Sequence, residues 1–192
     1  MPGPVFARDG DLTLRTVERD DLEFLQRWQN APELRDALGF TTPATADEVE
    51  QQYEQWTVEA DQDLNVLVCL EHGDVPRGPL DPASDVPVEP IGNVALFDVE
   101  YDRGELAYWL VPDHHGMGYA TRAVSMVLDH AFDTLALHKV VAKVFDYNDA
   151  SQGLLESLGF TREGQFREHV FRFGEYHDEH HFGLLAREWR ER

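Results

Sequence analysis

His115-Gly116-Met117-Gly118 separates two segments of different periodicity. Before it, Glu105 to Val111 reads as a strand and is stopped by Pro112. After it, Ala120, Ala123, Val124, Val127, Leu128 and Ala131 recur at helical spacing. A strand that passes through a glycine turn into an amphipathic helix commits this region to layered packing of helices on a sheet. The two glycines allow close backbone approaches that side chains would block. The free N–H groups and dipole of the helix start favour a phosphate there. The turn is not a Walker loop, because no Gly-Lys-Ser/Thr follows. It is not a full dinucleotide fingerprint, because the third glycine is absent. Taken alone, it also reads as an ordinary strand-to-helix turn.

The rest of the chain fits the same layered class. Leu12 to Val17 alternates like a strand. Asp20 and Asp21 open a helix with Leu22, Leu25 and Trp28 on one side, ending near Asn30. Thr45 and Glu48 form a capping-box pattern for a helix from Ala46 to about Ala60. Strands are predicted over Leu64–Leu70, Ile91–Val99 and Val140–Phe145. Ala150–Leu158 is a short helix stopped by Gly159. Gln165–Phe173 and Tyr176–Leu185 read as a final hairpin. Glu71 to Pro90 holds five of the ten prolines and reads as a long surface loop. At 192 residues, the expectation is one domain over 1–192 with 71–90 as a Pro-rich loop.

Charge excludes some partners. Asp plus Glu number 37 against 16 Lys plus Arg, a net charge of −21. Such a field repels nucleic-acid phosphate. Lys139 and Lys143 are the only lysines, and the acids are spread along the chain. That pattern resembles the surfaces of proteins from salt-loving organisms, where concentrated salt screens self-repulsion. Attraction of a cationic substrate is the other reading. The single cysteine, Cys69, excludes an intrachain disulfide and a cysteine zinc site. It lies in an apolar strand, where it reads as core. No apolar run approaches a membrane span. Met1 to Asp11 lacks a signal-peptide pattern, so a cytoplasmic location is expected.

Several motifs occur in one order: Pro112, His115-Gly116-Met117-Gly118-Tyr119-Ala120, the helix, the strand Val140–Phe145, Asn148-x-x-Ser151 and Leu158-Gly159-Phe160. This combination resembles the GNAT superfamily of acyl-CoA-dependent N-acyltransferases. The family's pyrophosphate loop, Arg/Gln-x-x-Gly-x-Gly/Ala, maps onto His115-x-x-Gly118-x-Ala120, with His115 in place of the usual Arg or Gln. A neutral His is a weaker pyrophosphate partner than Arg. Glu105 to Leu110 and the ending Gly174-x-Tyr176-x-Asp178…Glu188-Trp189 resemble the RimJ/RimL-type branch, which includes acetyltransferases of ribosomal-protein N-termini.

The resemblance implies a GNAT fold of the mixed α/β (α+β) class. Its central twisted sheet, mixed but mostly antiparallel, has about seven strands flanked by about four helices. It implies acetyl-CoA as acyl donor, with no metal. The pantetheine arm is expected beside Leu110 and Val111, hydrogen-bonded to their backbone. His115, Gly116, Met117, Gly118, Tyr119, Ala120, Thr121 and Arg122 are expected around the pyrophosphate, and Asn148 and Ser151 near the pantetheine. Ser151 is a candidate acid for the CoA thiolate. Asn148 and Ser151 equally suit the first turn of a short helix. Glu105 and Glu168 are candidate bases; the family position itself registers on Val170, two residues from Glu168 on the same strand face. A water chain is an alternative. The expected acceptor is a peptide or protein N-terminal amine. The alternatives are a small amine, such as a polyamine or aminoglycoside, and a non-catalytic acyl-CoA-binding role. A monomer or homodimer is expected.

His177-Asp178-Glu179-His180-His181 has the composition of a metal site. On a strand, His177, Glu179 and His181 share one face while Asp178 and His180 share the other, so consecutive ligands diverge. It reads as a polar strand.

Overall fold

The computed structural model describes residues 2–59, 62–72 and 87–192. Within these, eight strands and six α-helices form. The strands are β1 (Val5–Asp9), β2 (Leu12–Thr16), β3 (Leu64–Glu71), β4 (Val88–Glu100), β5 (Arg103–Leu110), β6 (Lys139–Phe145), β7 (Thr161–Arg172) and β8 (Glu175–Leu185). The helices are α1 (Leu22–Gln29), α2 (Pro32–Ala37), α3 (Ala46–Tyr53), α4 (Tyr119–Asp129), α5 (Asp149–Ser157) and α6 (Ala186–Arg190). The expected mixed α/β class holds, with one strand and two short helices more than the sequence pattern indicates. β1 is short and half-exposed, and α2 and α6 are single-turn elements too brief for a periodic signal. The expected loop over 71–90 is shorter at both ends, because Glu71 closes β3 and Val88 opens β4. Its interior, 73–86, lies outside the described residues.

The chain forms two compact units. The first comprises Met1–Ala95 and Tyr108–Met126; the second comprises Leu96–Ala107 and Val127–Arg192. β4 and β5 run through both.

In the first unit the strand order is β1-β2-β3-β4-β5, with β1/β2 and β2/β3 antiparallel. Its core gathers Val17, Leu25, Val49, Leu67 and Cys69, with Leu22, Phe24, Tyr53 and Trp109 packed against them. The capping box that starts α3 forms as the sequence indicates: Glu48 N donates to Thr45 Oγ1 at 3.2 Å, and Thr45 N to Glu48 Oε2 at 2.7 Å.

In the second unit the order is β4-β5-β6-β8-β7. β4 turns into β5 through Tyr101 and Asp102, both at positive φ, the geometry that matches a two-residue hairpin to strand twist. β5 and β6 are parallel over Arg103–Glu105 and Lys139–Val141. β8 is antiparallel to both β6 and β7. Phe132, Leu128, Val140, Leu155, Leu158, Phe182 and Leu184 are fully or almost fully buried.

Candidate active site

In the first unit, β5 ends at Leu110. A short 3-10 turn, Pro112–His114, then leads into the glycine turn and α4. Gly116 and Gly118 have φ of +73° and +81°, the left-handed region that L side chains rarely enter. A Cβ built on either glycine meets no atom within 4 Å. These glycines are therefore required by backbone conformation and not by crowding from the protein itself. The open space beside both glycines and the first turn of the 11-residue α4 suits an anionic group held by backbone N–H donors.

The cationic candidates around this turn are all engaged. His115 Nε2 lies 2.8 Å from Leu110 O. A carbonyl oxygen only accepts, so Nε2 carries the proton and the ring ties the turn back to the end of β5. His115 is thus a strut here, its Nε2 proton committed to the end of β5. His114 Nε2 lies 3.4 Å from Glu89 Oε1, and His72 Nε2 lies 2.8 Å from Glu89 Oε2. His72 and then His114 hold the Glu89 carboxyl below its ordinary value, against the opposing effect of partial burial. Arg122 Nε donates to Asp9 Oδ2 at 2.6 Å, and Nη2 to Asp11 Oδ1 at 3.0 Å. Leu110 and Val111 are buried, and Val111 N donates to Ile91 O at 2.8 Å. Met117 is exposed. Tyr119, Ala120 and Thr121 open α4, half-buried.

The second unit holds the remaining candidates. Asn148 caps α5: its Oδ1 accepts from Ser151 N at 3.1 Å. The helix-start reading of this pair is therefore realised. Asp146, two residues earlier, accepts from His177 Nδ1 at 2.8 Å and from Asp178 N at 3.0 Å.

Glu105 is only 17% exposed, and its Oε2 lies 2.6 Å from Lys143 Nζ. The ion pair engages one oxygen of the carboxylate that a base would use. Glu168 departs from expectation. It sits at φ +52° where the β7/β8 register shifts between Phe166 and Val170. A bulge breaks the two-residue alternation, so Glu168 and Val170 cannot be placed on one face by counting. Glu168 N donates to Asp178 Oδ1 at 2.7 Å. That contact and the Gln165 amide hold the Asp178 carboxyl below its usual value.

Burial pushes the Cys69 thiol up to about 12, so no thiolate forms for covalent catalysis. Among the described residues, no three His, Cys, Asp or Glu side chains are grouped to hold a metal ion. Two histidine–carboxylate pairs, His177–Asp146 and His181–Glu179, were not marked as pairs by sequence reasoning. The alternation of residues 177, 179 and 181 was the available signal.

Comparison with known proteins accounts for this arrangement. Residues 11–161 match the acetyltransferase (GNAT) domain model. The chain is 30% identical to an uncharacterised N-acetyltransferase, p20, of Bacillus licheniformis, over 93% of this chain and 94% of the relative. It is 27% identical to the spermidine N(1)-acetyltransferase of Vibrio cholerae, over 96% of this chain and 98% of the relative. The crystal structure of spermidine N-acetyltransferase from Vibrio cholerae in complex with CoA and spermine superposes with a TM-score of 0.78 and 26% identity. That match covers 95% of this chain and 99% of the other. The glycine turn, the strand it is tied to, the capped α5 and the family match over most of the chain lead to one conclusion: this protein belongs to the GNAT acetyltransferases and is an acyl-CoA-dependent N-acetyltransferase that uses acetyl-CoA.

Proposed function

We propose that the acceptor is a primary amine of a small polycation of the polyamine class. The full-length likeness to a spermidine acetyltransferase carries this reading. It favours the small-amine alternative over a protein N-terminus. The net charge of −21 supports it, since a polycation is drawn towards such a field.

The pyrophosphate of acetyl-CoA is assigned to the backbone N–H groups of Gly116 to Ala120, where the positive-φ glycines leave space. His115 holds the turn in place through Leu110 O. Leu110 and Val111 offer main-chain groups to the pantetheine arm as an added strand would. Asn148 and Ser151 are assigned to the donor's thioester end; Ser151 is the assigned proton donor to the thiolate.

The test is CoA-thiol release from acetyl-CoA in molar potassium chloride with spermidine, spermine, an aminoglycoside and N-terminal peptides. The expected result is turnover with spermidine or spermine at a kcat/KM at least about tenfold above that with peptides. Turnover confined to peptides overturns the polyamine assignment.

A further inference from the structure

Register places Glu105, Lys143, His181 and Glu179 on one face of the second unit's sheet, together with Arg103, Lys139 and His177. Partners directly opposite in a β ladder share a face, and alternate residues along a strand share a face. Glu105 on β5 is opposite Val141 on β6; Lys143, two residues along β6, is opposite His181 on β8; Phe145 is opposite Glu179. Glu105, Lys143, His181 and Glu179 therefore form a continuous row across three strands. The other face is given to packing: Ala142, Val144 and Phe182 are buried there, and His180 Nδ1 lies 3.0 Å from Gln152 Oε1 on α5. Burial, then the charge of Arg162, hold His180 below the usual imidazole value.

Within the row, Glu105 is paired with Lys143 at 2.6 Å. His181 differs. Its Nε2 lies 2.8 Å from Glu179 Oε1, and Glu179 is almost wholly buried while the His181 side chain is 28% exposed. A carboxylate accepts, so the neutral ring carries its proton on Nε2 and its lone pair on Nδ1. A buried carboxylate that fixes the tautomer of an accessible imidazole is the arrangement of an oriented general base. The β7 bulge adds a second ring. Asp178 stabilises the raised segment through Glu168 N, and His169 Nε2 comes to 3.9 Å from Glu179 Oε1. The other histidine–carboxylate pair on this face is less suited. His177 Nε2 is enclosed and has no hydrogen-bond partner, with Tyr147 and Phe173 packed edge-on against the ring.

We propose that His181 is the proton acceptor for the acceptor amine and that Glu179 is its positioning residue. This rests on the N-acetyltransferase activity and deepens the proposed acceptor assignment. β5 carries Glu105 and continues to Leu110, the strand assigned to the donor's arm. The alkylammonium R–NH3+ gives one proton to His181 Nδ1, and Glu179 balances the imidazolium at Nε2. The amine lone pair then forms the C–N bond at the thioester carbonyl, giving a tetrahedral oxyanion. Collapse breaks the C–S bond. Ser151 gives its hydroxyl proton to the thiolate and takes the second amine proton, giving the amide and free CoA thiol, and His181 returns its proton to solvent. The charged and titratable groups on the face of His181 are Arg103 and Glu105 from β5, Lys139 and Lys143 from β6, Glu163 and His169 from β7, and Glu175, His177 and Glu179 from β8.

The experiment measures kcat and KM against pH for the full chain, with whichever amine it turns over. Wild-type activity is expected to fall on the acid side, where a protonated base cannot take the ammonium proton. His181→Gln is expected to lower kcat by about 100-fold, remove that acid limb and leave KM within about threefold. Glu179→Gln is expected to lower kcat by about tenfold and move the limb to lower pH, because the imidazolium loses its counter-charge; Glu179→Asp is expected to restore part of the rate. A folded His181→Gln enzyme that keeps wild-type kcat and the acid limb overturns the proposal. So does an Nδ1–H tautomer for His181 in imidazole nitrogen-15 spectra, a readout that needs no turnover. Turnover of an amine other than a polyamine overturns the acceptor assignment alone, and the His181 comparison is then made on that amine.

Discussion

Arg122 is clasped by Asp9. Its Nε donates to Asp9 Oδ2 at 2.6 Å, while Asp11 Oδ1 accepts from Nη2 at 3.0 Å. The first turn of α4 is thereby fastened to the β1–β2 turn. With two carboxylates on its guanidinium, Arg122 brings little net positive charge to the glycine turn beside it. The pyrophosphate contact proposed above is then left to backbone donors. Arg122→Gln is expected to change the Kd for acetyl-CoA by less than about threefold, because exposed ion pairs contribute only about 0–1 kcal/mol each. Titration calorimetry in molar salt checks it. A loss above tenfold means that phosphate displaces the aspartates.

Gly118 allows a sharper test. Space beside its Cβ position is open, so a side chain there strains the backbone without clashing with the rest of the protein. Gly118→Ala is expected to cost roughly 1–2 kcal/mol in stability. Gly118→Glu is expected to fold with a similar penalty but to lose the rise in melting temperature expected for the wild type with acetyl-CoA. Normal acetyl-CoA binding by the folded Glu variant refutes the assignment of this turn.

Glu71 is the buried ionic centre of the first unit. Its side chain is wholly enclosed. Oε1 accepts from Arg15 Nη2 at 2.5 Å and from Arg8 Nη2 at 2.9 Å, and Arg8 Nη1 bonds Oε2. Burial pushes this carboxyl up, but the two guanidiniums outweigh burial and hold it below its usual value. A depressed carboxyl contributes stability above its unfolded value, and that contribution disappears as pH falls through the folded one. Urea unfolding is therefore expected to show stability falling below about pH 4, and less steeply in Glu71→Gln. At neutral pH that variant is expected to lose about 3–5 kcal/mol, since it leaves buried arginine charge without its counter-ion.

Cys69 gives a chemical check on the direct-transfer reading. The buried thiol, pushed up to about 12, is expected to resist iodoacetamide in the native protein and to react fully in guanidinium chloride. Mass spectrometry of the alkylated protein reads the outcome. Cys69→Ala is expected to lower stability while leaving turnover per folded molecule intact.

Local signals are legible in the sequence. The Thr45–Glu48 cap, the Gly118 turn, the α4 period and the Gly159 stop each depend on neighbours within one or two turns. The fate of polar side chains was not legible, because it depends on partners far along the chain. His115 turns to Leu110 O, Lys143 takes Glu105, and Arg122 takes Asp9 and Asp11. The bulge at Glu168 defeats strand counting because β7 advances four residues, Phe166 to Val170, where β8 advances two, Glu179 to His177. The His181–Glu179 pair was hidden for a related reason: an alternating run shows which side chains share a face, but not which of them meet.

β4 and β5 each belong partly to one compact unit and partly to the other. The backbone accordingly passes from one to the other at Ala95, returns at Ala107 and leaves again at Met126. Neither unit can be excised as an uninterrupted fragment, and a gene truncated anywhere between these points encodes two unfinished halves. Change in such a chain comes by substitution in place, or by insertion at turns such as Tyr101–Asp102 between β4 and β5.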